Sequence, residues 1–158
     1  FLQRLMAEWA DEGDEQQYET LLAAAARAEI QTVIPVDAPE FQNPKSMQQA
    51  IRGYCELQAL DVPQTKADLT RVVLQSLAAK YAEATQALNA MLPEPIKKLH
   101  IIGGGSQNKL LNRLTQQALG IPVEAGPVEA TAIGNILTQA LAKGEVADIH
   151  EMRSIAIV

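Results

Sequence analysis

The chain has 158 residues, of which 47% are hydrophobic and 4% aromatic, and its formal net charge at pH 7 is −6. The acidic balance argues against a nucleic-acid partner, because such proteins normally present a basic face. No apolar run approaches the ~20 residues that span a bilayer, so no membrane partner is expected either. Abundant alanine and leucine with few aromatics favour helices, and the single Cys55 fits a reducing compartment.

The first two thirds of the chain predict amphipathic helices, because apolar residues recur at spacings of three and four. The predicted spans are residues 1–10, 15–29, a helix opened by Ser46, and a long helix from Thr65 to about residue 92. The pairs Ser46 with Gln49 and Thr65 with Asp68 have the three-residue spacing of a capping box. An apolar stripe along the long helix predicts one continuous buried face.

From residue 99 the pattern changes to alternating strands and helices. The predicted order is a buried strand at 99–102, a helix at 107–119, a strand at 121–124 and a helix at 128–143. Gly120 and Gly144 fit the positions that follow the two helices. This order predicts a helix-rich α/β fold with a short parallel strand pair near the C-terminus.

Three glycines join the first strand to the next helix. Gly103, Gly104 and Gly105 lack side chains, so a ligand can approach their backbone, and a helix N-terminus behind them favours a phosphate. The spacing fits neither the Walker loop nor the dinucleotide fingerprint. A tight turn without a ligand is the structural alternative, but three glycines after such a strand favour a nucleotide contact.

Short polar residues follow the glycines. Capping of the helix explains Ser106. Asn108 and Asn112 are four positions apart and share a helix face, so contact with a ligand and a purely structural role are both open. For Glu129 a favourable place in the first helical turn is expected, and for Gly134 close packing against a neighbouring element.

No metal-ligand spacing and no catalytic constellation is visible. His100 stands alone in the predicted strand, far in sequence from His150, and we interpret it as structural. Cys55 has no obvious cation or helix N-terminus to activate it, so a small core residue is expected. From the residues alone, the chain is predicted to contact a nucleotide without performing chemistry.

Two motifs resemble the C-terminal domain of the FGGY carbohydrate kinases. They are residues 99–112, which contain the glycine turn, and residues 126–136, which read GPVEATAIGNI; segments 1–5, 41–44 and 76–81 agree with them. The resemblance implies two actin-like, ribonuclease-H-like domains around a cleft, in an enzyme of the bacterial cytoplasm. It also implies transfer of the γ-phosphate of ATP, with Mg²⁺, to a sugar hydroxyl. The GPVEAT run favours the 1-hydroxyl of L-rhamnulose.

The resemblance also carries residue roles. The middle glycine of such a turn contacts ATP in the family, which implicates Gly104, and a glutamine in the opening helix implicates Gln3. Gly103, Gly105 and Asn108 are expected to lie beside the nucleotide.

The family's catalytic aspartate and phosphate loop lie upstream of the segments that match. Residues 1–158 are therefore expected to form part of a C-terminal nucleotide-binding domain that is inactive alone and meets the sugar through an N-terminal domain. One alternative is another FGGY kinase, acting on xylulose, fuculose or glycerol. The other is a non-catalytic actin-like nucleotide-binding domain.

Overall fold

The computed structural model describes residues 1–156, and helices dominate this part of the chain. The elements in chain order are α1 (Leu2–Asp11), α2 (Tyr18–Arg27), α3 (Met47–Leu57), α4 (Lys66–Asn89), β1 (Leu99–Ile101), α5 (Lys109–Leu119), β2 (Val123–Ala125), α6 (Ala130–Ala142) and α7 (Ile149–Ala156). Short 3₁₀ turns, Pro39–Phe41 and Gly104–Gln107, precede α3 and α5. The helix-rich α/β character is confirmed.

The four N-terminal helices occur where they were predicted; α1 is shifted by one residue, and α2 and α4 are shorter than expected. Helix α2 begins three residues later and ends two earlier than expected, because Gln17 and Ala28 adopt extended backbone. Helix α4 ends at Asn89 rather than near residue 92, and the Asn89 Oδ1 accepts the Ile96 N–H at 2.7 Å as the chain turns away. Extended backbone therefore marks the ends of α2, and a local side-chain bond follows the end of α4.

Two capping predictions have different outcomes. The Thr65–Asp68 capping box is confirmed: the Thr65 hydroxyl accepts the Asp68 N–H at 3.0 Å, and the Asp68 carboxylate accepts the Thr65 N–H at 2.9 Å. At α3 the Ser46 hydroxyl accepts the Gln49 N–H at 3.3 Å as predicted. The carboxylate at this helix end, however, belongs to Glu8 of α1.

Two buried clusters meet along α4. The first joins α1, α3 and the start of α4, and includes Leu5, Trp9, Ile51, Cys55, Leu69 and Val72. The second joins α2, α4 and α5, and consists of Ala25, Leu74, Ala78, Leu110, Leu111 and Leu114. Leu2 and Leu77 pack against both clusters. Leu2, at the start of α1, therefore packs against the cluster to which the first half of α5 contributes.

The two strands pair in parallel, as predicted. Leu99 stands opposite Val123 and Ile101 opposite Ala125. The prediction of a buried strand is wrong, because His100 is exposed and Ile102 keeps 58% of its surface accessible. Within the described residues β2 is the only strand beside β1, so an apolar sequence lies at the surface.

The outer half of α4 and the C-terminal helices also differ from expectation. The α4 stripe is buried at first, but Leu88 and Met91 are 53% and 81% exposed. The prediction that Gly134 packs closely against a neighbouring element is wrong, since a Cβ built on it would meet no atom within 4 Å. Helix α6 is confirmed with Gly144 at its end (φ +76°). Among residues 1–156, every helix falls short of what crossing a bilayer demands.

Helix α7 was not predicted, although its N-terminal signal is present in the sequence. The Asp148 carboxylate accepts the N–H groups of His150 and Glu151 at 2.8 and 2.9 Å. The Glu151 carboxylate in turn accepts the Ala147 N–H at 2.7 Å. An acidic residue followed three positions later by glutamate is a signature of a helix start. Ile157 and Val158, the end of the chain, lie outside the described residues.

Candidate nucleotide site

The shape of the glycine turn depends on Gly103. Its φ of +77° is a conformation that L side chains rarely adopt, so glycine is required here. The Gly103 carbonyl accepts both the N–H and the hydroxyl of Ser106, at 3.0 and 2.8 Å. The Gly103 N–H donates to the Pro127 carbonyl at 3.2 Å. The turn is thereby tied to the chain that follows β2.

Gly104 and Gly105 form the open face of the turn. Both are exposed, and a Cβ built on either would meet no atom within 4 Å. Neither amide donates a hydrogen bond to another group within residues 1–156. A bare backbone with two free donors, shortly before a helix N-terminus, suits a flat ring or an anionic group.

Gly126 supports the turn from the β2 side. Its N–H donates to the Ile101 carbonyl at 2.8 Å, and a Cβ at this position would lie 2.9 Å from Ile102 Cγ2. Such an approach leaves no room for a side chain unless Ile102 moves. Sequence reasoning treated Gly126 only as part of a turn; its adjacency to Pro127 was the only local signal.

The structure corrects the predicted cap of α5. The cap is Asn108, whose Oδ1 accepts the Leu111 N–H at 2.9 Å, whereas the Ser106 hydroxyl points back to Gly103. The reason is the 3₁₀ turn Gly104–Gln107, which delays the start of the α-helix to Lys109. Serine is therefore used inside the turn and asparagine at the helix end.

The two asparagines that share a face make their bonds within the protein. Asn108 is 4% exposed, and its Nδ2 donates to the Tyr18 hydroxyl at 3.0 Å. The Asn112 Nδ2 donates to the Ser106 carbonyl at 2.9 Å. The Asn112 Oδ1 is buried and has no partner among residues 1–156. Tyr18 was not predicted as part of this site, because it lies 90 positions away in sequence.

Gln3 lies exposed on α1, and its side chain has no hydrogen-bond partner within the described part of the chain. The residue before it, Leu2, packs against the cluster that contains Leu110 and Leu111 of α5. Gln3 thus follows directly after a residue that packs against the cluster shared by α2, α4 and α5.

A largely apolar cleft of about 530 Å³ lies beside the turn, with His100, Ile102, Glu124, Gly126 and Arg153 among its lining residues. The Glu124 carboxylate is 2.6 Å from the Lys98 ammonium and 3.7 Å from His100 Nδ1. The hydrogen bond from Lys98 holds the pKa of Glu124 below its ordinary value, with a smaller contribution from the charge of His100. His100 therefore faces the surface beside a carboxylate.

No metal centre is formed within residues 1–156, where no three His, Cys, Asp or Glu side chains come together to hold an ion. Cys55 is buried in the first cluster, in agreement with its interpretation as a core residue, and burial raises the pKa of its thiol. The described residues therefore contain no cluster of such side chains that could hold a metal ion.

Residues 1–143 match the C-terminal domain of the FGGY family of carbohydrate kinases. The match covers most of the chain and includes the glycine turn, Gly126 and helix α6. The chain belongs to this family.

Several similar proteins are rhamnulokinases. The chain is 43% identical to the rhamnulokinase of Bacteroides thetaiotaomicron over 98% of its length, which is 31% of that relative. It is 41% identical to the rhamnulokinase of Pectobacterium atrosepticum and 36% identical to that of Bacillus subtilis, over 96% and 98% of its length. The chain spans about a third of the length of these relatives, 31–33%.

Proposed function

We propose that this chain supplies the ATP-binding part of the C-terminal domain of a sugar kinase. The full protein transfers the γ-phosphate of ATP to the 1-hydroxyl of L-rhamnulose in the bacterial cytoplasm. The observation that carries the proposal is the open backbone of Gly104 and Gly105, whose amides are free and whose Cα positions face empty space. The similarity to rhamnulokinases supports the choice of sugar.

The residues present fit a nucleotide. The free amides of Gly104 and Gly105 would face the nucleotide, with Gly103 shaping the turn. The N-terminus of α5 contributes the partial positive charge of its dipole. Gln3, exposed and without a partner in the described part of the chain, would donate or accept at the edge of the same ligand. The parallel strand pair flanked by helices is compatible with an actin-like, ribonuclease-H-like domain, which we propose as the fold.

Phosphoryl transfer divides naturally between two sides of a cleft. It needs a positioned nucleotide on one side, and an acceptor hydroxyl with a nearby base on the other. We assign the catalytic aspartate and the sugar site to an N-terminal domain outside residues 1–158, so this chain alone should be inactive. Protein carboxylates usually hold Mg²⁺ together with substrate phosphates and water. Because no such cluster exists within residues 1–156, we assign no Mg²⁺ ligand to this chain.

A coupled ADP-release assay on the full-length protein tests this function. The reaction contains ATP, Mg²⁺ and one of four acceptors: L-rhamnulose, L-fuculose, D-xylulose or glycerol. We expect the highest kcat/KM with L-rhamnulose. Higher turnover with another acceptor would assign the chain to a different FGGY kinase. Binding of ATP without turnover on any acceptor would favour a non-catalytic nucleotide-binding protein.

A pair of glycine substitutions tests the site itself. Gly104→Val places a side chain where we propose the nucleotide binds, so KM for ATP should rise at least about tenfold while KM for the sugar stays constant. Gly53→Val is the matched control, because Gly53 is exposed on α3 and also has no atom within 4 Å of a built Cβ. An unchanged KM for ATP in Gly104→Val would remove the turn from the nucleotide site.

A further inference from the structure

We infer that Tyr18 of α2 is a positioning residue for the nucleotide site and that it acts through Asn108. The inference rests on the proposed function, since it concerns how the glycine turn is held for ATP. Neither residue needs to touch the nucleotide. Their contribution is to fix the end of the turn from which Gly104 and Gly105 present their amides.

Asn108 is connected to three parts of the molecule. Its backbone N–H donates to the Gly105 carbonyl at 3.1 Å, which closes the turn. Its Oδ1 accepts the Leu111 N–H at 2.9 Å, which caps α5. Its Nδ2 donates to the Tyr18 hydroxyl at 3.0 Å. One buried residue thus joins the turn through its backbone, and α5 and α2 through its side chain.

The orientation of the Asn108 amide is fixed by its role as a cap. A backbone N–H needs an acceptor, so the oxygen must face Leu111 and the nitrogen must face Tyr18. The nitrogen is a pure donor, and Asn108 is only 4% exposed. Loss of the Tyr18 oxygen would leave this donor buried without an acceptor, which is unfavourable. A shift of Asn108 would bring this donor to a new partner. The same shift would move the Gly105 carbonyl, which is bonded to the Asn108 backbone N–H.

Tyr18 is well placed to act as a fixed support. It opens α2, and that helix is anchored in the core by Leu21 and Ala25, which are 4% and 0% exposed. The turn itself has no side chains at Gly104 and Gly105 through which it could be packed. The turn is therefore held by the buried Ser106, whose carbonyl accepts from Asn112, and by the bonds at its two ends. The Asn108 end depends on Tyr18.

The test is Tyr18→Phe in the full-length kinase, which removes only the acceptor oxygen. We expect KM for ATP to rise about 5- to 20-fold, with KM for the sugar within about twofold and kcat within about threefold, because only nucleotide binding is weakened. Tyr81→Phe is the control: Tyr81 is similarly exposed, at 38% against 41%, and its hydroxyl makes no hydrogen bond within residues 1–156.

A double substitution checks that the effect passes through Asn108. Asn108→Ser keeps an N-cap acceptor for α5 but lacks the amide that reaches Tyr18. If the two residues act as a unit, the double variant should raise KM for ATP no further than the larger single effect. If the fold-change in KM for ATP of the double variant equals the product of the two single fold-changes, the residues act independently and the proposed coupling is refuted.

The outcomes separate this inference from the proposed function. If Gly104→Val leaves KM for ATP unchanged, the nucleotide site itself is misplaced. If Gly104→Val raises KM for ATP but Tyr18→Phe does not, the site stands and the positioning role of Tyr18 is refuted. A lower Tm with equal changes in both KM values would also refute it, since that pattern indicates general structural damage.

Discussion

The Glu8 carboxylate of α1 accepts the Met47 N–H at 2.5 Å, so a side chain of one helix caps the first turn of another. The same carboxylate accepts the Ser46 hydroxyl at 3.0 Å and the Gln48 N–H at 3.3 Å. A negative charge at a helix N-terminus is also favoured by the helix dipole. These bonds fasten α1, and with it Gln3, to α3 and the first buried cluster.

Removal of this carboxylate should destabilise the fold. Glu8→Ala leaves the N–H groups at the start of α3 without their acceptor, and its side chain is only 17% exposed. We expect the free energy of unfolding to fall by about 1–3 kcal/mol. Glu15→Ala serves as the control, since Glu15 is exposed in the loop before α2, and should change stability by less than about 0.5 kcal/mol. Chemical denaturation measures both, and equal losses would contradict the role of Glu8.

The range of an interaction along the chain decided what the sequence could predict. The Thr65–Asp68 box spans three positions and was predicted in full. The cap that Glu8 provides at Met47 spans 39 positions. It was not predicted, because nothing in either segment identifies the partner. The hydrogen bond between Tyr18 and Asn108, which lie 90 positions apart, was not predicted for the same reason.

Burial was harder to predict than helix or strand formation. Residues 99–102 form an apolar run, and such a run predicts a strand well but does not say what covers it. In the structure Ile102 is 58% exposed. Burial was also wrongly predicted at Gly134. A glycine inside a helix indicates a close neighbour, but the described structure has open space there. The glycine turn was located correctly because its signal is entirely local.

The three glycines of the turn should differ in what a methyl group does to stability. Gly103 has a φ of +77° and a ψ of −169°, a region almost restricted to glycine, so Gly103→Ala should lower the free energy of unfolding by about 1–3 kcal/mol. Gly104 lacks a positive φ and has open space around its Cα. Gly104→Ala should therefore change the free energy of unfolding by less than about 0.5 kcal/mol. Thermal and chemical denaturation compare the two variants. Equal destabilisation would mean that the turn adopts another conformation in solution.

Gly126 and Ile102 should behave as a coupled pair. A methyl group at 126 would lie 2.9 Å from Ile102 Cγ2, so Gly126→Ala should destabilise by about 1–3 kcal/mol through overpacking. Ile102→Ala removes the obstructing carbon, and the double variant should recover most of that loss. A double-mutant cycle in denaturant measures the coupling. Strictly additive effects would show that the two residues do not meet.

The Lys98–Glu124 pair predicts a pH effect at the edge of the cleft. Because the bond from Lys98 lowers the pKa of Glu124 in the folded state, the pair stabilises the protein above the ordinary glutamate pKa. That contribution is lost as the pH falls through the lowered pKa. Lys98→Ala should raise the pKa of Glu124, as followed by NMR titration. Lys97→Ala, which removes only the exposed contact to Glu94, should leave it unchanged.

The assignment of Gln3 to the nucleotide site predicts a selective kinetic effect. Gln3→Ala in the full-length kinase should raise KM for ATP by about 3- to 10-fold, the loss of one or two hydrogen bonds, with KM for the sugar unchanged. Gln86→Ala is the matched control, because Gln86 is an exposed glutamine near the far end of α4. Since Gln3 is exposed and has no partner within residues 1–156, Tm should not change in either variant. A rise in KM for the sugar alone would place Gln3 on the acceptor side of the cleft. The glycine turn would then be the part of this chain that we assign to ATP.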